Sequence, residues 1–323
     1  MLSITVLIPT YRRTADLERC LEALKCQERS PNEVLVTVRD IDAETWLFLD
    51  QYNSKPLNLK VLKVEVPGVI AAMNTALSSF TSDVIASTDD DASPHPDWLI
   101  RIEKWFMSDP KIGGVGGRDW QYVGDRIKEP GEQEIVGQVQ WFGRVIGNHH
   151  LGVGNAQEVD VLKGVNMAFR RSAIGNLTFD ERLQGTGAQV HFELAFTLQL
   201  RRQGWKLIYD PKVAVDHYPA QRFDEDGRDQ FNPIAQCNTV HNETLALLDY
   251  LPFIQQPIFL VWSVLIGTRG SMGLLQWLRF VPSDRNRSTQ NLLSSLRGRR
   301  EGWQTWKSAK SAQNFKVQVG VSK

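Results

Sequence analysis

Three adjacent carboxylates, Asp89, Asp90 and Asp91, end the apolar run "DVIAST" (83–88) and stand just before the two prolines of "SPHP". Neighbouring carboxylates raise one another's pKa and resist joint ionisation unless a cation sits among them. A hard divalent ion, Mn²⁺ or Mg²⁺, accepts carboxylate oxygens and keeps open positions for the phosphate oxygens of a substrate. Taken alone, the triplet also reads as a solvated acidic turn or helix cap. Its position in the chain decides between the two.

That position follows from the elements around it. "ITVLIPT" (4–10), "EVLVTV" (33–38), "LKVLKVEV" (59–66) and "DVIAST" (83–88) read as strands. Between them lie amphipathic helices at 14–28, with Leu17, Leu21 and Leu24 on one face and Thr14 as N-cap, and at 43–52 and 69–79. A further helix over 96–106 opens on Pro96 in its first turn. Strands alternating with helices of this length predict βαβ units and an α/β fold with a mostly parallel sheet. Ligands of such sheets bind in the crevice at the carboxyl ends of the strands. "PTYRR", "RDID" and "DDD" all fall there, which favours the metal reading of the triplet.

Six segments occur in one order: "ITVLIPTYRR", the Asp after the second strand, "VPGVIAAMNTAL", "STDDDASPHPDWL", "GVNMAFRRSAI…FDERL" and "LRRQGWKLIYDPKVAVDHYP". Together, over about residues 3–220, they resemble family 2 of the nucleotide-sugar glycosyltransferases, with the GT-A fold. The resemblance implies that Pro9, Thr10 and Arg12 line the nucleotide loop and that Asp40, in preference to Asp42, bonds the base, most often uracil. It implies that Asn74 lies near the diphosphate, where Met73 replaces the family's Arg. Asp89 would face the ribose with Asp90 beside it, Asp91 would bind Mn²⁺ or Mg²⁺, and His217 would be either a second ligand or a packing residue. Gly164, Asn166 and Asp180 match the acceptor side. The catalytic base, which takes the proton of the acceptor hydroxyl, falls in register with Glu193, where the family has an Asp. A first-turn acid serving the helix dipole is the bland reading of Glu193. Neighbouring His191 is a candidate to orient the acceptor or act as base itself. Trp120, Trp141 and "GNHH" (147–150) are candidates either to stack on sugar rings or to pack in the core.

Composition sets the frame. The 323 residues carry 37 basic and 37 acidic side chains, but residues 269–323 hold 11 Lys and Arg against Asp284 and Glu301, a local balance of +9 that leaves −9 on residues 1–268. An acidic body with a basic tail predicts either an anionic partner or a solvated tail; no motif points to nucleic acid. The three cysteines, Cys20, Cys26 and Cys237, have no metal-type spacing. That suits a reduced, cytoplasmic setting, and the amino-terminal residues carry no secretion signal. The longest apolar run, Pro257–Gly267, is too short to span a bilayer. It reads as a buried helix or as one lying in a membrane interface. With Trp277, Trp303 and Trp306 among basic residues, it leads us to expect peripheral attachment to an anionic, cytoplasmic membrane face.

These features predict a catalytic domain over 1–222, with a nucleotide-binding half (1–118) and an acceptor half (119–222), and a helical, basic extension over 223–323. The expected activity is metal-dependent, inverting transfer from a nucleotide-diphosphate sugar, most often UDP-linked, to a saccharide or lipid-linked hydroxyl in cell-surface polysaccharide or glycolipid assembly. A sugar-nucleotidyltransferase would need a Gly-rich loop after the first strand, and "PTYRRTADL" has no glycine. A non-catalytic nucleotide-sugar scaffold of the same fold is the remaining alternative, favoured by Met73 and the single Glu193.

Overall fold

The computed structural model describes residues 1–129, 131–227 and 230–320, with side chains through residue 312. Lys316 and Lys323 of the expected basic tail lie outside the described side chains. The chain opens as β1 (Ile4–Thr10), α1 (Thr14–Lys25), β2 (Glu33–Arg39), α2 (Ala43–Gln51), β3 (Leu59–Val64), α3 (Val69–Ser79) and β4 (Val84–Thr88). It continues through β5 (Ala92–Pro94), α4 (Trp98–Ser108), β6 (Ile112–Val123), β7 (Arg126–Ile127), β8 (Gln138–Val139), β9 (Val145–Ile146) and β10 (Gln157–Val159). Then come β11 (Asn166–Arg170), α5 (Arg171–Ile174), α6 (Phe192–Arg202) and β12 (Lys206–His217). Four helices follow: α7 (Pro233–Tyr250), α8 (Gln255–Leu265), α9 (Leu274–Phe280) and α10 (Arg285–Gly320).

The main sheet runs β10-β12-β6-β11-β4-β1-β2-β3. The pairs β1–β2, β2–β3, β1–β4 and β6–β12 are parallel, and β11 enters antiparallel between β4 and β6. This is the predicted α/β architecture, and its parallel half is legible in the apolar strands: Ile4, Val6, Leu7 and Ile8 are all fully buried. On α1 the expected stripe is buried, with Cys20 added to Leu17, Leu21 and Leu24. Burial raises the Cys20 thiol well above its usual pKa, so this cysteine is a small core residue.

Two helix starts differ from expectation. Thr14 is the first helical residue of α1, not its cap; Arg13 precedes it and gives no side-chain cap bond. The Arg13 guanidinium is turned to Asp90 instead. α4 opens at Trp98 with Asp97 ahead of it. Pro96 sits in the preceding turn, where the Trp98 amide donates to the His95 carbonyl. Trp98 is fully buried, and its indole N–H donates to Asn166 Oδ1 at 2.9 Å, pinning α4 to the start of β11.

The chain divides into two compact units. The first comprises 1–139, 145–179 and 196–221; the second comprises 140–144, 180–195 and 222–323. In the second unit α7 and α10 approach closely at Gly298 and Gly302. A Cβ on Gly298 would meet the Cys237 carbonyl oxygen at 2.5 Å, and one on Gly302 the His241 carbonyl oxygen at 2.7 Å. Across that contact buried Arg299 pairs with Glu243 at 2.6 Å, and His241 meets Thr305. The segment 180–195 is bound to the same unit by side chains. The Asn242 amide accepts from Gln184 N–H and donates to the Gln184 and Val190 carbonyls. Asp224 accepts from Ala188 N–H, and Glu225 accepts from Thr186.

Candidate active site

At the carboxyl end of β4 the triplet separates into two roles. Asp90 is buried and faces the loop after β1, accepting from Thr10 Oγ1 at 2.8 Å and from Arg13 at 2.8 Å. Burial pushes the Asp90 carboxyl up, and the Arg13 guanidinium opposes that push. Arg13 also lies 3.7 Å from Asp91. Part of the triplet's like-charge cost is therefore met by an arginine from the neighbouring loop, which is how adjacent buried carboxylates coexist.

Asp89, Asp91 and His217 make the second group. One ligand atom from each lies within 4.8 Å of the others, and Asp91 and His217 are buried. Register explains the meeting: β5 pairs with β12 so that Ala92 lies opposite His217, next in sequence to Asp91. His217 Nε2 is 3.3 Å from Asp91, and its Nδ1 is 3.4 Å from Asp119. Burial by itself would lower the His217 pKa, but its bonds to Asp119 and Asp91 raise it. Asp91 is likewise pushed up by burial but is held low by His217, the Ala220 amide and Arg13. Asp119, fully buried, bonds Lys163 and Gln121. Despite the burial, Lys163 and His217 hold its carboxyl well below the usual range. Two carboxylates and an imidazole, with the imidazole backed by a third carboxylate, form a donor set that fits a divalent cation. A metal bound through His217 Nε2 would have to displace the proton that this raised pKa favours.

The nucleotide-loop residues stand beside this group. Thr10 is buried, Pro9 is half-buried and Arg12 is exposed. Arg12 adopts φ 57°, and its amide donates to Asp42 Oδ2 at 2.6 Å. Asp42 is buried and caps α2 through Thr45, so it ties the loop after β1 to the loop after β2. Asp40 is exposed at the end of β2 and lies 3.4 Å from Arg39. The Asn74 amide engages the backbone of Phe179 at both ends, at 2.8 and 3.0 Å. Met73 is buried in the core.

Of the acceptor-side candidates, Gly164 is buried in the turn closed by the Asn166 amide on the Lys163 carbonyl. Asn166 is buried, and its side chain bonds Trp98 and the Arg118 and Val213 carbonyls. In the second unit Asp180 receives Arg182 in a two-pronged pair, and Arg182 continues to Asp249. His191 takes φ 76°, and its carbonyl accepts from Ala195 N–H as α6 begins. Glu193 follows in the first turn, half-buried. Of the aromatic candidates, Trp141 is 64% exposed, whereas Trp120 carries the Arg118 guanidinium 3.6 Å over its ring. His149 is a core residue, buried with Nε2 2.9 Å from the Val161 carbonyl.

Arg13, Asp119 and Lys163 were not among the residues expected from sequence. Arg13 was visible as the second Arg of "PTYRR". Nothing local marks Asp119, on β6, or Lys163, in the turn before β11; they meet because β11 pairs with β6.

The sequence matches Glycosyl transferase family 2 over residues 5–178. The glycosyltransferase AglE of Haloferax volcanii is 33% identical over 234 residues, covering 71% of this chain and 70% of that protein. The glucosyl-dolichyl phosphate glucuronosyltransferase of the same organism is 24% identical over 226 residues, covering 67% and 69%. Among solved structures, the mannosyltransferase PcManGT of Pyrobaculum calidifontis, in complex with GDP-Man and Mn²⁺, superposes with a TM-score of 0.55 at 16% identity, over 92% of this chain and 87% of that one. TarS 1–349 of S. aureus with UDP-GlcNAc gives 0.55 at 14% identity, over 94% and 92%. With more than half of its length matched to the family and a GT-A-like sheet carrying an acidic crevice, this chain belongs to glycosyl transferase family 2.

Proposed function

We propose that the protein is a metal-dependent, inverting glycosyltransferase acting on a nucleotide-diphosphate sugar, most often UDP-linked. The acceptor is a hydroxyl of a saccharide or lipid-linked saccharide in cell-surface polysaccharide or glycolipid assembly. The observation that carries this reading is the Asp89–Asp91–His217 group at the carboxyl end of β4. The ligands named for the two structural neighbours, GDP-Man with Mn²⁺ and UDP-GlcNAc, support a nucleotide-sugar donor. The glucosyl-dolichyl phosphate in the name of one relative supports a lipid-linked acceptor. That acceptor class would place the reaction at the cytoplasmic face of a membrane.

In this reading Pro9, Thr10 and Arg12 shape the nucleotide pocket, Asp40 reaches the base and Asp89 the ribose. Asp91, Asp89 and His217 would hold Mn²⁺ or Mg²⁺, the imidazole nitrogen favouring Mn²⁺. When bound, that ion supplies positive charge to the departing diphosphate. Glu193 takes the proton of the acceptor hydroxyl while the acceptor oxygen bonds the anomeric carbon. The bond from that carbon to the diphosphate breaks on the opposite side, which inverts the configuration. Asp180, held by Arg182, and Gly164 border the acceptor. Asn166 serves by anchoring β11.

Calorimetric titration with UDP, GDP, CDP and dTDP, with Mn²⁺ and then with EDTA, tests the donor half. Binding of one diphosphate that requires both metal and Asp91, and disappears in Asp91→Asn, is expected. Metal-independent binding would sink the role given to the triplet. For the base, Glu193→Gln should lower transfer by about 10²–10⁴-fold with unchanged diphosphate affinity. Unchanged transfer would remove Glu193 from the reaction, and absence of transfer to any acceptor by the wild-type chain would favour the scaffold.

A further inference from the structure

α8 and α9, joined through the Gly267–Met272 bridge, each carry large apolar residues that are exposed. Ile254, Ile258, Val261 and Leu265 recur at helical spacing and are 75, 38, 57 and 51% exposed. The opposite side of α8 buries Phe259 and Ser263, so this helix is apolar inside and out, unlike a water-facing helix with a polar outer stripe. In α9 Trp277 and Phe280 are half-buried, and Leu274, Leu275 and Leu278 are 42, 56 and 59% exposed. From Leu251 to Ser283 the only charged side chains are Arg269 and Arg279, and both are exposed. Exposed Asp284 follows, accepting from the Arg287 amide, with Arg285 and Arg287 at the start of α10 also exposed. No described helix is long and apolar enough to cross a membrane.

We propose that this hairpin docks on an anionic lipid bilayer, with the leucine and isoleucine face entering the acyl boundary and the arginines meeting headgroup phosphates. An apolar face whose neighbouring charges are four arginines against the one carboxylate of Asp284 is complementary to such a surface. A second copy of the chain would set the same basic rim against this one across a two-fold axis. Within the basic segment 269–323 the contact thus falls to its first residues. In α10, Arg299 is buried against Glu243 and Arg297 pairs with Glu301. The proposal gives the lipid-linked acceptor of the preceding reading a surface to be met on, and only in that sense rests on it.

Flotation of the full chain with phosphatidylcholine vesicles, with and without phosphatidylglycerol, provides the test. Flotation with the anionic vesicles alone, weakened by salt, is expected. The double variant Val261→Glu/Leu275→Glu should lower it about tenfold or more, and Arg269→Gln/Arg279→Gln should weaken its salt dependence. Thermal unfolding and diphosphate titration of both variants should match wild type, so failure of the donor reading would register separately. If wild-type protein stays with the soluble fraction, or if the apolar substitutions dissolve a dimer seen by sedimentation instead of releasing vesicles, the proposal is overturned.

Discussion

At the scale of single residues, charge in the first unit is arranged by pairing across strands. Arg13 neutralises the inner face of the triplet, while Lys163 and Asp119 back His217 from the far side. A buried pair of this kind adds little stability by itself, but loss of one partner is costly because it strands a charge. His149 shows the opposite device. Burial drops its pKa to about 4, and its ring stays neutral while Nε2 donates to the Val161 carbonyl. A histidine whose folded-state pKa is depressed contributes stability that is complete above its unfolded value of about 6.5 and is lost as pH falls toward the folded one. Compared with His149→Gln in urea unfolding at each pH, the wild-type chain should therefore lose about 3 kcal/mol more between pH 7 and pH 4. A slope unchanged in the variant would assign the acid sensitivity to other groups.

Elements meet closely where side chains are absent. Gly298 and Gly302 lie four residues apart on one face of α10 and let its backbone approach α7. Gly298→Leu would drive a side chain into the Cys237 carbonyl and Val240. Overpacking of this sort costs about 1–3 kcal/mol or more. Chemical denaturation should reveal the loss, and a variant as stable as wild type would show that the two helices can separate without cost. α4 is held differently, by one large group: fully buried Trp98 joins the helix to β11 through Asn166. That bond, together with the two carbonyl bonds of the Asn166 amide, explains why an asparagine stands in the core at this position.

At the scale of the whole molecule, the second unit is built from three stretches, and the one carrying Glu193 lies between two segments of the first unit in sequence. Residues 180–195 are bonded to 222–323 by Asn242, Asp224, Glu225 and Asp249. A chain cut after residue 222 would lose all four. Such a fragment should retain metal-dependent diphosphate binding, since the Asp89–Asp91–His217 group and its supports lie in the first unit, but should lose sugar transfer. Full transfer by the fragment would show that the segment holds its shape unaided.

Local chemistry was enough to make the first four strand–helix pairs readable in the sequence, because short continuous apolar runs and period-3.6 apolar patterns report burial directly. It was also enough to put "DDD" at a strand end in the crevice. The pairing of His217 with Asp91 was suggested only by resemblance. Their proximity depends on β5, a three-residue strand with no periodicity of its own, and on its register with β12. The function of Arg13 as counter-ion, the seat of Asp119 and Lys163, and the attachment of residues 180–195 to the second unit depend on contacts between residues far apart in the chain. Spacing along a sequence carries no record of those contacts, so only the tertiary structure decided them.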